Sequence, residues 1–174
     1  GRLYMQGTWD LQRSDDGGES WTKLSPTFPV TDTPGVNCGS KKPLAHPTLT
    51  NPVFVGLCNG FTPGPNGLLR SDDGGETWIE MMDGLTDAQV TALAFHPTNP
   101  LTMYLGTASG RIFISSDGGE TWQYASRPLG WVESIAVDPF GKHDVWVNSI
   151  HGRGTPCETY KSADASLTSW IEIN

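Results

Sequence analysis

The sequence predicts an all-β protein: a β-propeller of four-stranded antiparallel blades, with about four blades present. Three observations carry this expectation. An eight-residue pattern, Ser-x-Asp-x-Gly-x-Thr-Trp, recurs at Ser115–Trp122, at Ser71–Trp78 and at Ser14–Trp21, where Ser20 replaces the threonine. A worn copy keeps Ser162, Asp164, Thr168 and Trp170, without glycines and with one extra residue before the tryptophan. The four tryptophans at 21, 78, 122 and 170 are 57, 44 and 48 residues apart, and a period of about 45 residues marks a solenoid or a propeller. Finally, the chain holds 21 Gly and 13 Pro in 174 residues, and no window sustains a 3.6-residue apolar period.

The best-preserved repeat sets the template for the elements. A strand at Val90–Phe95 is followed by the turn His96–Pro100, a strand at Met103–Thr107 and the turn Ala108–Gly110. Alternation over Arg111–Ser115 reads as a third strand, and Trp122–Tyr124 opens the fourth. Four short strands in about 45 residues make one blade.

The first repeat aligns only from its second strand, as Leu3–Gln6, Leu11–Arg13 and Trp21–Lys23. In the second, the turn His46–Pro52 echoes His96–Pro100. Its strand Val53–Leu57 leads through a long loop, Cys58–Gly67, to Leu68–Arg70. The fourth offers Val132–Val137, a turn at Asp138-Pro139, Val145–Val147, a loop from Ser149 to Cys157, Thr159–Lys161 and Trp170–Glu172. The blades are thus expected near 1–26 (incomplete), 36–82, 89–126 and 131–174, within one propeller segment spanning 1–174. Closed propellers have about four to eight blades, so three and three-quarter blades read as a segment of a larger ring.

The repeated motif has its own physical logic. Its glycines supply positive φ, its aspartate accepts from backbone N–H groups further along, and its tryptophan anchors the exit strand. The structural set is Ser14, Asp16, Gly18 and Trp21; Ser71, Asp73, Gly75 and Trp78; Ser115, Asp117, Gly119 and Trp122; and Asp164 and Trp170. These residues resemble the Asp-box, the bacterial neuraminidase repeat. It occurs in propellers of sialidases, xyloglucan-active glycoside hydrolases, sortilin-type receptor domains and photosystem II assembly factors. The resemblance covers nearly the whole chain and implies the propeller fold. In those families the box is a structural turn remote from the active site.

A propeller sorts its loops by end. The box turns and the His-Pro turns share one face; the longer, irregular loops share the other, where binding residues are expected. That face carries the candidate ligand-binding residues Trp9, Asp10, Asn59, Phe61, Trp131, Glu133, His151 and Arg153. No residue is assigned a catalytic role, because a glycosidase needs two carboxylates about 5–9 Å apart and sequence does not measure that. No cofactor and no metal is expected: the box lacks the twelve-residue calcium-loop spacing, and Cys-x-x-Cys is absent. Cys38 and Cys58 fall in one blade and form the candidate disulfide of an exported protein, which leaves Cys157 over.

The net charge of −8 argues against nucleic acid and anionic membranes as partners, and no apolar run is long enough to span a bilayer. Two readings of function stay open. One is a non-catalytic scaffold of an exported or cell-surface protein, binding another protein or a glycan through its loop-rich face. Its other contacts would be the rest of its own propeller or neighbouring subunits. The alternative is a segment of an endo-acting, xyloglucanase-like glycoside hydrolase whose active site is completed by further chain. A sialidase needs an arginine triad and an Arg-Ile-Pro stretch, whereas Arg111-Ile112 is followed by Phe113.

Overall fold

The computed structural model describes residues 1–6, 11–24, 43–49, 51–57, 67–87, 89–126, 130–140, 144–152, 156–162 and 167–173. These form four antiparallel sheets, each a simple meander. The first holds β1 (Leu3–Gln6), β2 (Leu11–Ser14) and β3 (Thr22–Lys23). The second holds β4 (Pro43–Ala45), β5 (Val53–Leu57), β6 (Gly67–Ser71) and β7 (Ile79–Glu80). In the third are β8 (Val90–Phe95), β9 (Met103–Thr107), β10 (Ile112–Ser115) and β11 (Gln123–Ser126). The fourth consists of β12 (Trp131–Val137), β13 (Val145–Ile150), β14 (Cys157–Ser162) and β15 (Trp170–Ile173). The all-β propeller reading holds, with four blades of which the first has three strands among the described residues.

Several boundaries differ from the sequence expectation. Strand β13 runs on to Ile150 and β14 starts at Cys157, so Ser149 and Cys157 are paired ladder residues, and the connection shortens to 151–156. Trp131 likewise opens β12 opposite Ile150 and is not a loop residue. The ladder extends because each added residue satisfies backbone groups that would otherwise need water. The box tryptophans 21, 78 and 122 stand just before their exit strands, and only Trp170 lies within one.

Blade stacking follows from the two-residue period of a strand. In β9, Met103 and Leu105 point back to the second blade, where together with Phe113 of their own blade they meet Phe54 and Leu68 in one buried cluster. Tyr104, between them, points forward to Val132, Val145 and Val147 of the fourth blade. A third cluster joins Leu11 and Leu24 of the first blade to Val55 and Leu69 of the second. Every inner seam is therefore apolar on both sides, which is why β9 is buried along its whole length.

Two glycines let the blades come close. An alanine methyl at Gly56 would lie 2.6 Å from Val90 Cγ1, and one at Gly106 would lie 2.4 Å from Val132 Cγ1. Glycine at that point of the second strand admits the next blade's innermost strand.

The two ends of the blades are distinct. Gly118 N–H donates to Leu101 O at 2.8 Å, so the box turn and the neighbouring His-Pro turn share one end. At the other, Ala108 N–H donates to Gln89 O at 3.0 Å, bringing the second-to-third-strand turn beside the segment that enters the blade.

Candidate functional site

The box turn is built the same way three times. Ser14, Ser71 and Ser115 each donate the hydroxyl proton to the box aspartate, Asp16, Asp73 and Asp117, at 2.7 Å. The same serine oxygens accept from Gly18, Gly75 and Gly119 N–H at 2.7, 2.7 and 2.8 Å. Each aspartate also accepts from the N–H and the hydroxyl of Ser20, Thr77 or Thr121. Gly118 and Gly119 take φ of 78° and 91°, a conformation that glycine adopts without the Cβ penalty. In the fourth blade, Leu167 takes φ 55° and fills the seam apolar-side down, 1% exposed. Asp164, the box aspartate there, lies outside the described residues.

These hydrogen bonds hold all three carboxyls below their ordinary range. For Asp117 the Thr121 hydroxyl is the largest cause, then the Thr121 N–H, and its value falls to about 2. Ser20 and Thr77 depress Asp16 and Asp73 in the same way. A carboxyl depressed in the folded state adds stability that is complete above its unfolded value, about 3.9, and is lost as pH falls through the folded value. The urea midpoint is expected to be flat from pH 7 to 5 and to fall between about pH 4 and 2. Asp117→Asn should flatten part of that fall, and an unchanged acid limb would refute the assignment.

At the opposite end, the innermost strands β4, β8 and β12 line a concavity of about 270 Å³, with Pro43, Leu44, Val90, Leu93, Glu133 and Ser134 on its wall. Two of these strands carry a bulge at matching places. In β8 the ladder skips Thr91, between Val90↔Thr107 and Ala92↔Gly106. In β12 it skips Glu133, between Val132↔Ser149 and Ser134↔Asn148. A bulge frees one residue from pairing and re-aims its side chain. Thr91 uses that freedom structurally: it is buried, and its hydroxyl is 2.6 Å from Val132 O and 3.2 Å from Gly106 O. Glu133, in the equivalent position, is exposed. An ionised carboxylate has no proton to donate to a carbonyl, so Glu133 cannot serve as the stitch that Thr91 is.

The other sequence candidates separate. Trp131 is half-buried at the head of β12, two residues from Glu133. His151 is exposed just beyond β13, its Nδ1 3.2 Å from Glu158 Oε2. That same oxygen accepts the Tyr160 hydroxyl at 2.6 Å. Burial, then this bond, pushes the Tyr160 hydroxyl up to about 12. Glu158 and Tyr160 were not among the expected site residues; only the β13–β14 register, which sequence does not reveal, places them beside His151. Trp9, Asp10, Asn59, Phe61 and Arg153 lie outside the described residues, as do Cys38 and Cys58. Cys157 is an exposed free thiol. The Thr91–Glu133 exchange was visible in the aligned repeats, but its meaning depends on the bulge.

Comparisons with known proteins agree with this architecture. Residues 66–174, more than half of the chain, match the profile of the Sortilin-Vps10 family, described as sortilin, neurotensin receptor 3. Residues 12–23 match the BNR/Asp-box repeat. Among curated proteins, the chain is 26% identical over 133 residues to a probable oligoxyloglucan-reducing end-specific xyloglucanase of Neosartorya fischeri, covering 72% of this chain and 16% of that protein. Among solved structures, the GH74 enzyme of Niastella koreensis superimposes with a TM-score of 0.70 at 20% identity, over 94% of this chain and 25% of that one. YCF48 bound to D1 peptide superimposes with a TM-score of 0.61 at 18% identity, over 97% of this chain and 50% of that one. The chain thus spans a sixth of its curated relative and a quarter to a half of these structures.

Proposed function

Because the chain belongs to the Sortilin-Vps10 family of Asp-box propellers, we propose that it is a non-catalytic interaction module that holds a protein or a glycan at its loop-rich end. The observation that carries this reading is Glu133: a bulged, exposed carboxylate on the wall of the inner concavity, where the preceding blade has a buried threonine. Trp131 and His151 belong to the same end of the same blade and extend the contact surface. The bulge is a rigid mount on a paired strand, so the ligand would meet a preformed group. An exported or cell-surface setting goes with this role.

A second reading has a specific observation behind it. The curated relative is named as a xyloglucanase, and the GH74 enzyme shares the fold. The chain would then be a blade segment of a hydrolase, with its reacting groups partly on other chain.

The two readings are separated by titrating xyloglucan oligosaccharides into the protein by calorimetry while assaying reducing ends released. Binding without release, weakened about tenfold by Glu133→Gln, is the expected result. Release of new reducing ends that Glu133→Gln abolishes would overturn the non-catalytic reading.

A further inference from the structure

The chain holds four Asp-Gly pairs, at 16–17, 73–74, 83–84 and 117–118. Such a pair is chemically exposed, because glycine puts no side chain beside its own nitrogen and leaves it open to the aspartyl carboxyl. Three of the four belong to box turns, and there the carboxylate is tied down. Asp73 accepts the hydroxyls of Ser71 and Thr77 and the N–H groups of Glu76 and Thr77. Asp117 is held by Ser115 and Thr121, and Asp16 by Ser14 and Ser20. In the third box the glycine nitrogen is held too, since Gly118 N–H donates to Leu101 O at 2.8 Å.

Asp83-Gly84 stands apart. It lies between β7 and β8, where the chain passes from the second blade to the third, and both residues are exposed. Leu85 N–H donates to Met82 O at 3.0 Å and Gly84 takes φ 80°, so the pair forms the middle of a type II turn. Among the described residues, neither the Asp83 carboxyl nor the Gly84 N–H has a hydrogen-bond partner. The Asp83 main chain, in contrast, is in use: its carbonyl accepts Trp122 N–H at 2.9 Å. Gly84 lies so close to Trp122 O that a Cβ would not fit.

We propose that Asp83-Gly84 is a modification site, the place where the folded protein spontaneously isomerises to isoaspartate. Gly84 N attacks Asp83 Cγ. The new Cγ–N bond replaces the Cγ–OH bond, and the hydroxyl leaves as water with the proton from the nitrogen. Water then opens the five-membered imide at the main-chain carbonyl carbon, breaking its bond to the nitrogen, so the chain now runs through Cβ and Cγ. No reactant other than water takes part. The main chain is longer by one carbon, and the carbonyl that held Trp122 N–H becomes a free carboxylate.

The box aspartates are spared for two reasons. Their hydrogen bonds keep each carboxyl from swinging onto the glycine nitrogen. The same bonds keep it ionised, whereas the hydroxyl leaves from the neutral acid.

The test is to incubate the protein at mildly acidic pH and map isoaspartate by peptide mass spectrometry after Asp-N digestion, which skips isoaspartyl links. Isoaspartate at 83 should accumulate about tenfold faster, or more, than at 16, 73 or 117, since a carboxyl held near 2 instead of about 3.9 is far less often neutral. The same incubation in urea should bring all four pairs to similar rates. Asn59-Gly60 and Asn66-Gly67, whose asparagines lie outside the described residues, are told apart by the mass gain of deamidation. Asp83→Glu keeps the charge but would have to close a six-membered imide, and it should abolish the signal at this place.

Equal rates at all four pairs in the folded protein would overturn the proposal, because hydrogen bonding would then select nothing. Isoaspartate at 83 in urea but not in the folded protein would equally overturn it, because the turn would then hold this pair as firmly as a box does.

Discussion

Phe113→Ala is expected to lower stability by about 3–5 kcal/mol, the range for deleting a fully buried aromatic ring. Phe113 is 0% exposed and sits in the seam between the second and third blades with Phe54, Met103 and Trp122. Its ring also meets Tyr124 edge-on, with centroids 5.8 Å apart. Strands on both sides of the seam hold their positions through their own ladders, so the cavity left by the ring cannot readily collapse. Domains of this size are stable by only about 5–15 kcal/mol, so the variant should lose much of its margin.

Urea unfolding followed by tryptophan fluorescence measures this, with Trp122 as a reporter inside the same seam. Tyr124→Ala is the control, since Tyr124 is 53% exposed and should cost far less. Equal costs for the two substitutions would mean that the seam is not the cooperative core.

Gly106→Ala is expected to cost about 1–3 kcal/mol, the range for overpacking a close-packed interior. The added methyl would lie 2.4 Å from Val132 Cγ1 and 2.9 Å from Val132 Cβ, both on the innermost strand of the next blade. Val132 is itself 0% exposed and has no room to withdraw. The loss should therefore be relieved when Val132 is shortened. In a double-mutant cycle, Gly106→Ala with Val132→Ala should show a favourable coupling of about 1 kcal/mol or more. Additive losses would place the strain elsewhere.

Much of the architecture is legible in the chain before any coordinates. The box turns are local chemistry: a serine, an aspartate and a threonine within eight residues satisfy one another and the backbone between them. Strand alternation is equally local, so Val53–Leu57 and Met103–Thr107 were placed as strands with the bounds the structure shows. Strand ends were less legible. Ser149 and Ile150 read as loop because a Gly-rich stretch follows, yet they pair with Glu158 and Cys157. Pairing continues as long as a partner stands opposite, and sequence alone does not say where the partner stops.

The candidate site was legible only as a list of loop-end residues. Glu133 was among them, but nothing in its sequence neighbourhood distinguishes a bulged residue from a paired one. That distinction comes from the register of β12 against β13, where one residue too many must be left out. Likewise His151 was read only as a candidate ligand-binding residue of the loop-rich face, beside Arg153, and strand pairing put Glu158 3.2 Å from it. The sequence by itself thus determined the repeat, the turn and the two-residue alternation, because each is settled by atoms a few bonds apart. Tertiary structure alone decided which side of each strand is sealed by the next blade, which residue each ladder leaves out, and why the glycines at 56 and 106 leave no room for a methyl. Those depend on distances between strands more than ten residues apart, set by how closely the blades can stack.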